Sequence, residues 1–331
     1  MTLNENIINQ FKLLVKQIKF DIDFASGKQK MVHMYRLGAI QKVLKILENF
    51  PDKITSEKQL ENIKNVGDKS LLRIKEILET GKLSEIKITD DVDKYLKIVE
   101  KLEDVIGIGR KKAYDLFKKY NILSVDDLIE KQKIGEIELP DNIIKGLLYY
   151  DKIKEKIPRN DIDELETILI DSTYEISSQL FGIICGSYRR QKDFSNDIDF
   201  IICHTDIKTI EEVKKSNYLE KLIILLKKKK IIVDSLTADD VPTKYMGICK
   251  LNNVLRRIDI RFMPYNSYYP AILYFTGSKD TNKKMRMMAI SMDCTLNEYG
   301  LFDKNGKTII FNSEKEIFEH LNMEYIPPEQ R

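Results

Sequence analysis

The stretch Asn196-Asp-Ile-Asp-Phe-Ile-Ile-Cys-His204 decides how this chain is read. In an extended strand, residues i and i+2 point the same way. Asp197 and Asp199 therefore stand side by side on one face, while Ile198 and Phe200 turn toward a core. Two adjacent carboxylates at a buried edge repel each other unless a cation sits between them. A third acid lies in Arg256-Arg-Ile-Asp-Ile-Arg-Phe262, where Arg257, Asp259 and Arg261 share one face and Ile258, Ile260 and Phe262 share the other. An acid in mid-strand between arginines is an odd core residue but a sensible metal ligand. Three such carboxylates suit two Mg²⁺ ions, with phosphate oxygens and waters completing the octahedra.

Taken alone, Asp-x-Asp reads equally well as an exposed strand end with solvated acids. The preceding residues add to it. Ile183-Ile-Cys-Gly-Ser-Tyr-Arg-Arg190 reads as a strand, a Gly-Ser turn and a basic helix start. Free N–H groups at such a start suit a triphosphate. Gly186 lets the backbone approach closely, Ser187 donates to phosphate, and Arg190 clamps it. The combination points to nucleotidyl transfer. One metal lowers the pKa of an attacking hydroxyl, and the other neutralises the triphosphate and the leaving pyrophosphate. Asp259 is the acid best placed to take the hydroxyl proton.

Outward from this centre, strands are expected over 181–185, 197–203, 231–236 and 255–262. A helix over 210–230 ends in the run Lys227 to Lys230, read as a solvated helix end that complements the dipole. Past Pro264 come a helix over 280–292, short strands near 296–302 and 308–311, and a last helix from Ser313. The first half reads as helices, over 11–20 and over 43–50, the latter stopped by Pro51. Two related units follow: Ile63-Lys-Asn-Val-Gly-Asp-Lys-Ser-Leu-Leu-Arg-Ile-Lys-Glu-Ile-Leu78 and Leu102-Glu-Asp-Val-Ile-Gly-Ile-Gly-Arg-Lys-Lys-Ala-Tyr-Asp-Leu-Phe117. Each has an apolar residue, a small-x-Gly turn, a polar cluster and an amphipathic helix. A tight turn of this kind presents helix N–H groups to one DNA phosphate.

The 331 residues suit two or three domains. Apolar residues make up 43%, yet no run is long enough to span a bilayer. The polar N-terminus lacks the pattern of a secretory signal. Four widely spaced cysteines without a CxxC argue against disulfides and a structural zinc site. Three distant histidines make histidine-based metal or triad chemistry improbable. The net charge of +3 is small, but phosphate binding depends on a local basic face rather than on the total.

Over nearly its whole length the chain resembles the family X DNA polymerases. The resemblance rests on Gly186-Ser-Tyr-Arg-Arg190, Asp197-Ile-Asp199, Arg256-Arg-Ile-Asp-Ile-Arg261, Tyr274-Phe-Thr-Gly-Ser278, Leu296-Asn-Glu-Tyr-Gly-Leu-Phe302 and the two hairpins. It implies that Asp197 and Asp199 bind both metals, Mg²⁺ with Mn²⁺ as the alternative, and that Asp259 binds the catalytic one near the primer 3′-hydroxyl. Gly186, Ser187 and Arg190 would contact the triphosphate. Tyr274, Phe275 and Gly277 would form the sugar pocket, whose bulk disfavours a 2′-hydroxyl. Asn282 and Arg286, four apart on one helix face, would contact the nucleotide or template side; Met285, Met288 and Met292 on the other face read as core. Glu298 would pair with Arg261 when the nucleotide-binding subdomain closes. The hairpins would hold DNA through Asn65, Gly67 and Lys69 and through Gly107, Gly109, Arg110 and Lys111, with a monovalent cation on the turn carbonyls. Asn65 stands where glycine is usual, and asparagine tolerates the left-handed conformation.

Departures from the family pattern are equally specific. Arg73 occupies the position of the lysine that would form a Schiff base with a 5′-deoxyribose phosphate. A guanidinium keeps its proton and cannot form that imine. Ile40 replaces a pocket tyrosine, with Arg36 and Lys42 nearby. Weak or absent lyase activity is therefore expected, with Lys69, one turn from Arg73, as the substitute candidate. Asn196 replaces a glycine, and Lys279 an acidic residue beside the base pocket. The connection from Lys250 to Arg256 is too short for the loop of template-independent transferases.

The expectation is an α+β chain of several subdomains. A helical DNA-end-binding domain with the first helix-hairpin-helix spans 1–89, and a helical thumb-like part with the second spans 90–157. A palm with a mixed β-sheet spans 158–265, and a small α+β fingers-like part spans 266–331. Its expected partners are gapped or primed double-stranded DNA and dNTPs, without a membrane and as a monomer. The compartment is intracellular: the nucleus, or the cytoplasm or virion for a viral source. Two alternatives stand beside this: a nucleotidyltransferase acting on RNA ends or small molecules, and an inactive DNA-binding scaffold.

Overall fold

A computed structural model describes residues 4–331, which divide into two compact units, one ending at Ile143 and the other running from Ile144 to Arg331. In the first, α1 (Glu5–Phe24) buries Ile7, Ile8, Phe11, Leu14 and Ile18, the three-to-four-residue spacing of one helical face. It packs with α2 (Gly27–Glu48), α3 (Asp68–Thr80) and a 3₁₀ turn (Glu57–Leu60) around Leu47, Leu60 and Ile74. Helix α2 starts well before the expected 43–50. Its first half carries exposed Met31, Val32, Met34 and Tyr35 and so shows no apolar period, but nothing there breaks a helix.

Helices α4 (Asp90–Glu103), α5 (Arg110–Tyr120) and α6 (Val125–Lys133) belong to the same unit, and the division falls within α7 (Asp141–Tyr149). The boundary expected near residue 89 is bridged. Tyr95 of α4 packs between Phe20 and Phe24 of α1 and Phe117 of α5, with ring centroids 4.9 to 5.5 Å apart. Its hydroxyl donates to Asp23 (2.9 Å).

The second unit is built on a five-stranded sheet of order β2-β4-β7-β6-β5. A short ladder of β1 (Ile157–Pro158) and β3 (Phe194–Ser195) flanks it. The strands are β2 (Leu180–Ile184), β4 (Ile198–His204), β5 (Ile232–Ser235), β6 (Lys244–Leu251) and β7 (Val254–Phe262). Only the β4–β7 pair is parallel, which makes the sheet mixed. Its two centre strands place Ile198, Phe200, Ile202, Ile258, Ile260 and Phe262 on one face, against α8 (Arg159–Ile176) and α11 (Tyr218–Lys228). The helix expected over 210–230 is two, α10 (Ile210–Lys215) and α11, because Ser216 is extended and ends the first. Strands β6 and β7 join through Asn252 and Asn253, both left-handed (φ 48° and 63°), the two-residue turn suited to strand twist.

The opposite sheet face is covered only in part. Cys185, Ile201, Cys203 and Met263 pack against Ala271 and Ile272 of α12 (Tyr268–Thr276). Helices α9 (Gly186–Arg189), α13 (Lys279–Ser291) and α14 (Glu314–His320) and the hairpin sheet β8 (Thr295–Asn297), β9 (Gly300–Phe302) and β10 (Thr308–Ile309) complete the unit. Met285 is buried in this last part, with Met288 and Met292 packed against the same cluster.

Candidate active site

The carboxylates lie on the sheet face that α12 leaves open. Asp199 and Asp259 are register partners across the parallel β4–β7 pair, and Asp197 stands just before β4. All three are half-buried. Burial pushes the Asp199 carboxyl up to about 7, and the charges of Asp197 and Asp259 add to the rise, against a smaller opposing pull from Arg257 and Arg261. Asp197 is raised as well, mainly by burial. An ionised pair here is costly without a cation, so the donor set fits a hard divalent ion by charge and element.

The fit is not a finished cage. Among the described residues no three acidic, histidine or cysteine side chains are grouped closely enough to enclose an ion. Asp259 is engaged by a neighbour: its two oxygens accept from Arg257 Nε (3.1 Å) and Nη2 (2.8 Å).

Beside them, β2 ends and α9 begins at Gly186. This residue has φ 59°, and a Cβ built on it would lie 2.8 Å from Asp199 Oδ2. Only glycine allows this approach. Ser187 Oγ donates to Ser195 Oγ (2.7 Å), and Arg190 Nη1 donates to the Thr276 carbonyl, so both groups expected at a triphosphate have protein partners here.

The Tyr274 and Phe275 rings meet edge to face at 5.1 Å. Asn282 Nδ2 donates to the Tyr274 carbonyl (2.6 Å), and the Arg286 guanidinium lies 5.9 Å from the Tyr274 ring. Both line a small cavity with Pro270, Leu273, Leu296 and Asn297. Gly277 (φ 72°) follows α12, and a Cβ there would meet Arg190 Nη1 at 3.3 Å. The Arg261 guanidinium lies over the Phe275 ring (5.2 Å) and makes no ion pair with Glu298 among the described residues.

Four residues that the sequence reading passed over join this region. Arg189 donates to Thr276 Oγ1 (2.7 Å) and to both oxygens of buried Glu314, which also accepts from Arg331. No sequence signal marks Glu314, which reads as the first acid of a helix capped by Ser313. Lys244, the register partner of Arg261, is also new; burial lowers its pKa, and Arg261 lowers it further. A wide cleft at edge strand β5 lies away from the carboxylates. It pairs its own charges, Lys145 with Asp234 (2.9 Å) and Lys227 with Asp239 (2.5 Å).

In the first unit the two hairpins are superimposable in logic. Asn65 (φ 76°) and Gly107 (φ 88°) take the left-handed position, and Gly67 and Gly109 precede α3 and α5. Equivalent backbone bonds, Val66 N–H to the Ile63 carbonyl and Ile108 N–H to the Val105 carbonyl, close both turns at 3.0 Å. Lys69 and Lys111 are exposed. Arg110 is different: its guanidinium is committed to Asp23 (2.6 Å) and Glu103 (3.0 Å). At the expected lyase position, Arg73 and Arg36 converge on Glu85, the Arg36 pair at 2.7 Å. Burial raises the Glu85 carboxyl, but the two guanidiniums outweigh that and hold it below its ordinary value.

Comparison with known proteins agrees with this layout. The family model described as DNA polymerase beta palm matches residues 156–265, the DNA polymerase beta thumb matches 271–331, and a helix-hairpin-helix domain matches 4–83. The part expected as fingers-like thus carries the family's thumb label. Among curated relatives, DNA polymerase lambda of Arabidopsis thaliana is 27% identical, over 99% of this chain and 62% of its own length. DNA polymerase lambda of Rattus norvegicus is 27% identical over 90% and 52%, and DNA-directed DNA/RNA polymerase mu of Homo sapiens is 24% identical over 89% and 64%. The chain spans between half and two thirds of the length of these relatives.

Proposed function

Because the chain belongs to family X of the DNA polymerases, we propose that it extends a primer 3′-hydroxyl with dNTPs, directed by a template, in short gaps of the kind left by base excision repair. The observation that carries this reading is Asp199 facing Asp259 across parallel strands, with the Gly186 turn against it. Asp197, Asp199 and Asp259 would hold two Mg²⁺ ions, or Mn²⁺, which supply charge neutralisation at the triphosphate and acidify the attacking hydroxyl. Asp259 accepts the hydroxyl proton at a carboxylate oxygen, with Arg257 fixing its orientation. Gly186 brings backbone N–H groups to the phosphates, Ser187 and Arg190 exchange their present partners for phosphate oxygens, and Tyr274 and Phe275 pack on the deoxyribose. Asn282 and Arg286 face the nucleotide or template, and Arg261 leaves Phe275 for Glu298 on closure.

The N-terminal unit grips DNA backbone through the turns at Asn65–Gly67 and Gly107–Gly109, with Lys69 and Lys111 adding charge and a monovalent cation on the turn carbonyls. Arg73 and Arg36, both held by Glu85, support the reading that lyase activity is weak or absent. The protein works as a monomer inside the cell, in the nucleus, or in the cytoplasm or virion for a viral source. Among the described residues no helix is long and apolar enough to cross a membrane.

The test is incubation with Mg²⁺, dNTPs and a one-nucleotide gapped duplex bearing a 5′-phosphate. Extension by the wild type and loss of at least about 10³-fold in Asp259→Ala is the expected outcome. Extension of RNA ends alone points to the other transferase class, and DNA binding without product to a scaffold. Borohydride trapping on an incised abasic site should give little adduct; strong trapping overturns the lyase reading.

A further inference from the structure

We infer that the Arg189–Glu314–Arg331 ion cluster sets the choice between deoxyribose and ribose, by holding the last turn of α12, and with it Tyr274 and Phe275, in one position. The inference rests on the polymerase reading above.

The last turn of a helix leaves carbonyl groups without helical partners, free to be held or to drift. Here the Leu273 carbonyl accepts from the Gly277 N–H (3.2 Å), and the later attachments are side chains from other elements. Asn282 holds the Tyr274 carbonyl (2.6 Å), and Arg190 holds the Thr276 carbonyl. Arg189 adds a hold on a side chain, Nη1 to Thr276 Oγ1 at 2.7 Å, and Thr276 is wholly buried. That hold depends on Glu314. Its Oε1 accepts from Arg189 Nη1 (3.1 Å) and its Oε2 from Nη2 (2.6 Å), so the guanidinium cannot rotate. Glu314 is fixed in turn by Arg331 Nη1 (2.7 Å). The Arg331 side chain is fully buried, lies over the Phe318 and Tyr325 rings (5.3 and 5.7 Å) and donates Nε to the Ile326 carbonyl (2.7 Å).

Two buried charges and a partly buried third carry a desolvation cost that an apolar trio of similar volume would avoid. What they add is direction. A bidentate fork fixes angle as well as distance, and this one aims at the residue next to Phe275. Rejection of a 2′-hydroxyl depends on where a ring edge stands relative to one added oxygen atom. A small rotation of the last turn therefore opens the pocket to ribose before it weakens binding of deoxyribose. Arg189, Glu314 and Arg331 are positioning residues, since none needs to touch the nucleotide.

The experiment measures kcat/KM for a dNTP and for the matching rNTP on a gapped duplex, in wild type, Thr276→Val, Thr276→Ser and Arg189→Lys. Valine keeps the volume of threonine and removes the hydroxyl, while serine keeps it. Lysine keeps the charge beside Glu314 but loses the fork. The expected result is a fall of about tenfold in the dNTP-to-rNTP ratio for Thr276→Val and Arg189→Lys, with Thr276→Ser at the wild-type ratio. A Glu314→Gln variant, if it folds, should fall at least as far. An unchanged ratio in Thr276→Val and Arg189→Lys overturns the inference, as does an equal loss in the serine variant. A wild type that extends nothing overturns the polymerase reading, and this one with it; a wild type that extends with an insensitive ratio overturns this one alone.

Discussion

The carboxylate site of the palm and the charged clusters of the N-terminal unit treat electrostatics in opposite ways. At Asp197, Asp199 and Asp259 like charges crowd a half-buried face, and Arg257 engages only one of them. In the N-terminal unit every prominent arginine has found its acid: Arg36 and Arg73 share Glu85, and Arg110 takes Asp23 and Glu103. A frustrated cluster gains free energy when a ligand of opposite charge arrives; a self-paired one must first lose its internal bonds. The difference separates carboxylates crowded without a counter-charge from residues that hold helices together, although both are rich in charge. Arg110, which reads from sequence as a DNA contact, here pairs with Asp23 of α1 and Glu103 of α4.

The largest test of this contrast is Asp199→Asn. Polymerase activity should fall by at least about 10³-fold, while the metal-free protein becomes more stable by about 2–4 kcal/mol at pH 8. The sign follows from the raised folded pKa of about 7 against the ordinary 3.8. The folded state holds the proton more tightly, so wild-type stability falls as pH rises from 4 through 7, and the advantage of asparagine should shrink as pH drops over that window. Urea unfolding at several pH values, with and without Mg²⁺, measures both effects. If Mg²⁺ stabilises the variant as much as the wild type, the palm cluster is not an ion site.

Next in size is Gly186→Ala. A methyl group at φ 59° and 2.8 Å from Asp199 Oδ2 should lower kcat/KM about 10²-fold, checked by single-nucleotide insertion kinetics. On the other side of the comparison, Glu85→Gln should cost about 1–2 kcal/mol at pH 7. The folded Glu85 carboxyl lies below its ordinary 4.5, so its contribution is present above pH 4.5 and is lost as pH falls through the folded value. The gap between wild type and variant should close there in denaturant titrations.

The smallest effects separate the two hairpins. Gly107→Ala meets a φ of 88° and places a Cβ 2.9 Å from Asn142 Nδ2, which should cost about 1–2 kcal/mol in thermal unfolding. Asn65→Gly relieves a left-handed residue at an open turn and should change stability by less than about 1 kcal/mol.

The alternation at 197–200 and 257–262 was readable before any coordinates, because the side-chain period of a strand is a local property that neighbours cannot hide. The two hairpins were readable for the same reason: a left-handed residue, an apolar residue and a glycine before an amphipathic helix specify a turn within four or five positions. Even the two-residue Asn252–Asn253 turn follows from local backbone preference. The missing element boundary, the break of one expected helix at Ser216, turned on a single extended residue whose preference is weak.

Tertiary structure decided which charges meet. Arg189 and Glu314 are 125 residues apart, Arg110 and Asp23 are 87 apart, and Arg36 and Glu85 are 49 apart. No local pattern links such partners, because each pairing depends on which helix faces pack together, and packing is settled by the whole core at once. The sequence by itself therefore determined the chemistry available on each strand and turn. Only the folded chain determined which acids remain crowded on the open face and which are already neutralised by a neighbour.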